Sequence, residues 1–264
     1  MLSDDKRVLI TGASAGLGLE LATLYAESGR NLVVTARRKD RLLKLKYDLE
    51  ERFGTKVLAV EADLEDPAGC QKIIQSTRQN HILIDVLVNN AAIGVYGEFL
   101  GMEFSKIERM YRINVLSALC LTQWVLADMK LNRNGQVVNI ASLGAFFPGP
   151  LMSVYFSAKA DMLSFSAALN YEMRKTGIKI TTVCPGPFKS EFQQSAFGHD
   201  RRKDTEAHLP SAKTVAQQIF GPVLRQKPVV IAGWKNKLIY VISRCVPLSI
   251  LLKTVYAQQR RLRY

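Results

Sequence analysis

The run KRVLITGASAGLG, residues 6–18, decides how the rest of the chain is read. Its first six residues are mostly apolar and end at Thr11, and Gly12, Gly16 and Gly18 follow. Leu19, Leu21, Ala22, Tyr25 and Ala26 then recur at helical spacing until Ser28 and Gly29 break the pattern. A strand, a glycine turn and a helix in this order make an anion site. The first N–H groups of the helix are unpaired, the helix dipole adds positive potential, and glycines let a phosphate approach the backbone. A glycine cluster alone is a weak signal; the strand–turn–helix setting gives this one its weight.

A second strand-like run, residues 31–36, leads into Arg37 and Arg38. In dinucleotide-binding sheets the end of this strand faces the adenosine ribose, and an acid there accepts the 2′-hydroxyl of NAD. Ala36 stands at that place and Arg37 follows. A guanidinium matches a 2′-phosphate, so NADP is expected and NAD is the lesser alternative. Two cations at the start of the next helix would be poor caps, which strengthens the ligand reading. Beyond them, helical patterns at about 40–53, 67–80, 105–131, 153–176 and 211–225 alternate with strand patterns at 56–61, 84–88, 136–140, 179–184 and 228–231. Such alternation predicts an α/β doubly wound parallel sheet. Ligands bind such sheets outside the carboxyl ends of the strands. Gly12, Arg37, Asp63, Asn89, Ser142 and Pro185 all fall just past strand ends.

Tyr155 and Lys159 lie four apart in a helical pattern and so share one face. A free phenol has a pKa of about 10 and is a poor acid–base catalyst at neutral pH. A neighbouring ammonium favours the phenolate and lowers that value. Ser142, thirteen positions before Tyr155, adds a hydroxyl that could hold a substrate oxygen. Alone, such a pair is more often an ordinary amphipathic face; the glycine turn and the strand-end features reverse that balance.

These residues together resemble the short-chain dehydrogenase/reductase family. The likeness rests on Thr11-Gly12, Gly16 and Gly18, Asp63-Leu64, Asn89-Asn90-Ala91, Asn114, Ser142, Tyr155 with Lys159, and Pro185-Gly186, over residues 6 to about 191. It implies a Rossmann-type single domain and an oxidoreductase interconverting carbonyl and alcohol. Gly12, Ser14, Gly16, Leu17 and Gly18 would form the phosphate turn. Asp63 and Leu64 would contact adenine, and Asn90 and Ala91 the cofactor ribose. Pro185, Gly186, Phe188 and Ser190 would hold the nicotinamide end. Tyr155 would be the acid–base residue, and Ser142 would orient the carbonyl. Lys159 would bind the nicotinamide ribose and lower the Tyr155 pKa, and Asn114 would support that lysine through water. Three positions depart from the family pattern: Ala92 replaces a common glycine, Ser190 a common threonine while keeping the hydroxyl, and Ala15 stands where NADP-preferring members often have a basic residue.

The chain of 264 residues is 48% hydrophobic, enough for one domain with a large core. It opens with charged residues and no apolar run, so no signal peptide is expected. Cys70, Cys120, Cys184 and Cys245 are scattered and the three histidines have no ligand spacing; a reducing, cytoplasmic setting without a metal site is expected. The net charge is +13, but from Gly221 onward there is no Asp or Glu. Arg225, Lys227, Lys235, Lys237, Arg244, Lys253, Arg260, Arg261 and Arg263 supply nine of those charges, which argues against nucleic acid as the partner of the body. Residues 188–226 are expected to lid the substrate, with Phe192 and Phe197 facing it or anchoring the lid. Val95, Tyr96, Phe99 and the loop 148–153 are expected as pocket walls. Residues 233–264 form a basic, apolar extension that either covers the cleft, joins subunits, or lies on an anionic membrane. A homodimer or homotetramer through the helices at 105–131 and 153–176 is expected by family analogy. Three functions remain open: an NADP-dependent carbonyl reductase, a membrane-associated reductase of 3-oxoacyl or steroid-like lipids, and a non-catalytic cofactor-sensing regulator.

Overall fold

The computed structural model describes residues 5–197 and 208–261. Seven parallel strands form one sheet in the order β3-β2-β1-β4-β5-β6-β7. They are β1 (Lys6–Thr11), β2 (Asn31–Ala36), β3 (Val57–Glu61), β4 (Leu83–Asn89), β5 (Gly135–Ile140), β6 (Ile178–Cys184) and β7 (Val229–Ile231). The order reverses between β1 and β4, and this switch opens a crevice at the carboxyl edge. The helices are α1 (Gly16–Glu27), α2 (Lys39–Phe53), α3 (Pro67–Gln79), α4 (Phe104–Tyr111), α5 (Ser117–Leu131), α6 (Ser153–Glu172), α7 (Glu191–Phe197), α8 (Ala212–Leu224), α9 (Trp234–Cys245) and α10 (Leu248–Arg261).

The central strands are apolar on both faces because helices cover both faces. Val8, Ile10, Leu32, Val34, Val86 and Val138 point to a core with α1, α2 and α8. Leu9, Val33, Leu87, Val137 and Ile180 point the other way, to a core with α3, α5 and α6. The polar residues of β5 and β6 are paired beneath this layer. Gln136 Nε2 donates to Thr181 Oγ1 (3.0 Å) and to the Val223 carbonyl (2.8 Å).

The helical pattern read at 105–131 is one rod with an interruption. A π turn at Arg112–Leu116 joins α4 to α5. It carries Asn114, whose amide closes on Ile93 from both sides: Ile93 N–H donates to Oδ1 and Nδ2 donates to the Ile93 carbonyl, each at 2.8 Å. π turns occur where a helix must re-aim a side chain. Here the turn fixes the loop that leaves β4 at the crevice.

After β7 the chain does not wander. Gly233, at φ +78°, starts α9, and α10 follows it. Tyr240 packs its ring 4.5 Å from Phe146. Tyr96 Oη donates to the Gln259 carbonyl at 3.0 Å. The extension therefore packs beside the cleft, where Ile239, Val255, Gln258 and Gln259 border it.

Candidate active site

A cleft of about 890 Å³ lies along the carboxyl edge of the sheet. Every site residue read from the sequence borders it except Gly18 and Asn114. Gly12 sits at φ +66°, and a Cβ there would meet the Ala91 Cα at 2.9 Å. Gly18 has a different task. A Cβ at that position would lie 2.4 Å from the Gly12 carbonyl oxygen, so Gly18 lets α1 close on its own turn and does not face a ligand. The start of α1 is bare: Ala15 offers no side-chain cap and the first turn holds no acid. Thr11 Oγ1 accepts from the N–H groups of Asn90 (2.9 Å) and Ala91 (3.0 Å), and Asn90 Nδ2 donates back to the Thr11 carbonyl (2.9 Å). These bonds lock the end of β4 to the glycine turn. The Asn90 side chain thus serves the wall, leaving its backbone along the cleft. Ala92 is part-exposed on the same wall.

At the far edge, Arg37 Nη1 lies 4.0 Å from an Asp63 oxygen, with both side chains about half exposed. Asp63 Oδ1 accepts from Glu65 N–H (3.0 Å). Arg38 is the more engaged arginine. It donates to Ser14 Oγ (3.2 Å) and to Glu191 Oε2 (2.6 Å), while Arg41 donates to Glu191 Oε1 (2.6 Å). The two guanidinium groups hold the Glu191 carboxyl below its ordinary pKa. Glu191 begins α7, so this ion pair ties the segment after β6 to the segment after β2. The sequence reading missed it because 153 positions separate Arg38 from Glu191.

Midway along the cleft, Ser142 Oγ accepts from Gly144 N–H (3.1 Å), and its hydroxyl also meets the Tyr155 phenol. Tyr155 stands against Phe192, ring centroids 5.0 Å apart. Lys159 is 3% exposed, donates from Nζ to the Ile140 carbonyl (2.8 Å), and lies 5.8 Å from the Tyr155 ring centroid. Burial sets both titrations. It pulls Lys159 down to about 8, against a weaker upward pull from Cys184. It pushes Tyr155 up to about 12, against the Ser142 hydroxyl, which lowers it. In this geometry burial is the largest influence on both groups. Asn114 also has a partner other than the lysine, since both sides of its amide are spent on Ile93.

Pro185 accepts from Leu143 N–H (2.8 Å), bringing the ends of β5 and β6 together. Gly186 is backed by α9, for a Cβ there would meet Asn236 Oδ1 at 2.4 Å. Phe188 and Ser190 complete that wall. The remainder of the cleft is lined by Ile93, Phe147, Met152, Phe156, Phe192, Ile239 and Val255, and Lys159 is its only ionisable amine. Phe99 is not a wall; it is 66% exposed on a short 3₁₀ turn. Val95 and Tyr96 line a neighbouring depression of about 450 Å³. Of the loop 148–153 only Met152 reaches the cleft. The side chain of Phe197 and residues 198–207 lie outside the described part. Gln193 and Gln259 were not foreseen. Both border the cleft, and their Oε1 atoms are buried without a hydrogen-bond partner.

A family model described as short chain dehydrogenase matches residues 6–201. A dehydrogenase/reductase SDR family protein 7-like from Anopheles gambiae is 31% identical over 252 residues, 92% of this chain and 80% of that one. A short-chain dehydrogenase from Sphingobium yanoikuyae, solved in complex with NADPH, superposes with a TM-score of 0.80 at 31% identity, covering 86% of this chain and 87% of that one. The bulky-bulky ketone specific alcohol dehydrogenase from Comamonas testosteroni gives 0.76 at 28% identity over 85% of each chain. With its parallel sheet, glycine turn and Ser142–Tyr155–Lys159 cluster, this chain belongs to the short-chain dehydrogenase/reductase family and is an oxidoreductase of that family.

Proposed function

We propose that this protein reduces bulky, apolar carbonyl compounds with NADPH, and in reverse oxidises the alcohols. One observation carries the reading: a single cleft divided into a cationic end, an apolar end, and Ser142, Tyr155 and Lys159 between them. The residues fit the cofactor. Ser14, Gly16 and Leu17 would take the pyrophosphate at the bare start of α1. Arg37 and Arg38 would take the 2′-phosphate, Asp63 and Leu64 the adenine, and Asn90 and Ala91 the ribose. Lys159 would hold the nicotinamide ribose, and Pro185, Gly186, Phe188 and Ser190 the nicotinamide end. The bound cofactor supplies or accepts a hydride at the substrate carbon. Ser142 would turn its hydroxyl proton from the Tyr155 phenol to the carbonyl oxygen, and Tyr155 protonates that oxygen as the carbon is reduced. Proton transfer of this kind is typically worth about 10²–10⁴-fold. The NADPH complex of the Sphingobium relative and the ketone named for the Comamonas enzyme support cofactor and substrate class.

The unpaired oxygens of Gln193 and Gln259 refine the substrate. An apolar body with a hydroxyl or N–H away from the carbonyl satisfies them once either side chain turns into the cleft. Residues 188–226 act as the lid in this reading. A second copy of the chain packs on α6, whose exposed face of Ser157, Ala160, Ser164, Ala167 and Ala168 is small enough for close helix approach. A pure cofactor sensor would need no Ser142, Tyr155 and Lys159 at one point of the cleft.

The test is NADPH turnover against a panel of aldehydes, steroids, 3-oxoacyl thioesters and sugars, with NADH in parallel. Tyr155→Phe should lose about 10²-fold or more in kcat and still bind NADPH. Equal loss of turnover and cofactor binding would make Tyr155 structural, and an inert wild-type protein would favour the sensor.

A further inference from the structure

The pair α9–α10 is built the wrong way round for a helix pair facing water. The inward face of α9 is Asn236, Tyr240 and Ser243, all part-buried. The opposite face carries Trp234, Leu238, Val241, Ile242 and Cys245, at i, i+4, i+7, i+8 and i+11, one stripe of a helix. Trp234 is 70% exposed, Leu238 52%, Val241 54% and Ile242 48%. Lys235, Lys237 and Arg244 flank the stripe. On α10, Leu248, Ile250 and Tyr256 are exposed, and so are Lys253, Arg260 and Arg261. No Asp or Glu occurs from Gly221 onward.

Charge decides what covers this face. A second copy would set one acid-free cationic stretch against another. A nucleic acid would use the cations and leave the apolar stripe in water. An anionic bilayer uses both, because apolar side chains enter the acyl boundary while lysines and arginines meet the headgroups. No described helix is long and apolar enough to cross a membrane, so the pair would lie in its plane. The other side of the same pair faces the cleft: Val255 is buried at the cleft wall, Ile239 borders the cleft, and the Gln259 carbonyl is held by Tyr96. We infer that α9–α10 docks on an anionic membrane surface and that the carbonyl substrate is lipid-borne, entering the cleft from the bilayer beside this helix pair. The substrate half of this inference rests on the reading of the cleft as a carbonyl-reducing site; the docking half does not.

The experiment is flotation of the full chain with phosphatidylcholine vesicles, with and without phosphatidylserine. The wild-type protein should float only with the anionic vesicles, and raised salt should weaken it. Leu238→Glu with Ile242→Glu should lower vesicle affinity on the order of a hundredfold. Leu238→Gln with Ile242→Gln should lower it too without adding negative charge. Both double variants should keep wild-type turnover of a water-soluble carbonyl. Wild-type protein that stays at the bottom of the gradient, or variants that float as well as wild type, overturn the docking. A variant that changes from dimer to monomer without any wild-type flotation assigns the face to a second copy and also overturns it. Flotation without turnover of any carbonyl would leave the docking standing and sink the reductase reading. Turnover of a lipophilic ketone that vesicles fail to accelerate would overturn entry from the bilayer.

Discussion

At neutral pH the Tyr155 phenol keeps its proton, because burial holds its pKa near 12. That is the form a carbonyl reduction consumes. Alcohol oxidation needs the phenolate, so its rate should climb steadily between about pH 6 and 10 while reduction stays nearly flat. Rate profiles in both directions check this, and a flat oxidation profile would remove Tyr155 from the proton path. The two unpaired amide oxygens give a second test. Gln193→Leu should raise KM about tenfold for a ketone bearing a distal hydroxyl and leave its deoxy analogue almost unchanged. Equal effects on both would mean that Gln193 only fills space. Gln193 could not be found from sequence, since an amide in a polar stretch looks like surface until α7 turns it inward.

Among the elements, α7 is the most informative. Its Glu191 occupies Arg38, which also reaches Ser14, and Arg41. A 2′-phosphate would compete with that carboxylate for Arg38. Exposed pairs of this kind are worth at most about 1 kcal/mol. Glu191→Gln should therefore tighten NADPH binding several-fold, most at low salt, and leave NADH binding unchanged. Titration of both cofactors by fluorescence decides it, and an equal change for both would dismiss the competition. The alternating elements from β1 to β7 were legible because the strands are short apolar runs closed by Gly, Arg, Asp, Asn, Ser or Pro. The π turn was not: residues 105–131 read as one continuous helix, and the wider turn at Arg112–Leu116 shows only in the folded backbone. The tail was half legible. Pro247 announced a break, yet which face of α9 turned inward depends on Phe146 and Gly186, contacts made across the fold.

For the molecule as a whole, Lys159 is a stability liability with a defined pH window. Its pKa falls from 10.5 in the unfolded chain to about 8 in the fold. Below about 8 both states carry the charge and the fold bears the full cost of burying it. As pH rises from 8 to 10.5 the folded lysine is neutral first, the unfolded state binds more protons, and the cost disappears. Lys159→Met should therefore gain about 1–3 kcal/mol relative to wild type at the low end of that window and lose the gain at the high end. Urea denaturation of both proteins at the two ends measures it, and a constant difference would mean that folding leaves the Lys159 pKa unshifted. Composition placed the chain in one domain with a large core, and the sheet agrees. The concentration of positive charge from Gly221 onward was legible too, but a sequence cannot say that this acid-free stretch borders the cleft.

The switch in strand order has a consequence for how the chain is made. β1 is central, but its second neighbour is β4, with Ile10 paired to Val88. A growing chain can zip β1, β2 and β3 together early, because their connections are local. One edge of β1 then waits for β4, and its open N–H and C=O groups are a template for any other extended chain. Non-local pairings of this kind close slowly. The ligand crevice and the period of greatest exposure to mispairing thus come from the same crossover. Conditions that slow elongation between β3 and β4 should cost soluble yield more than equal delays elsewhere.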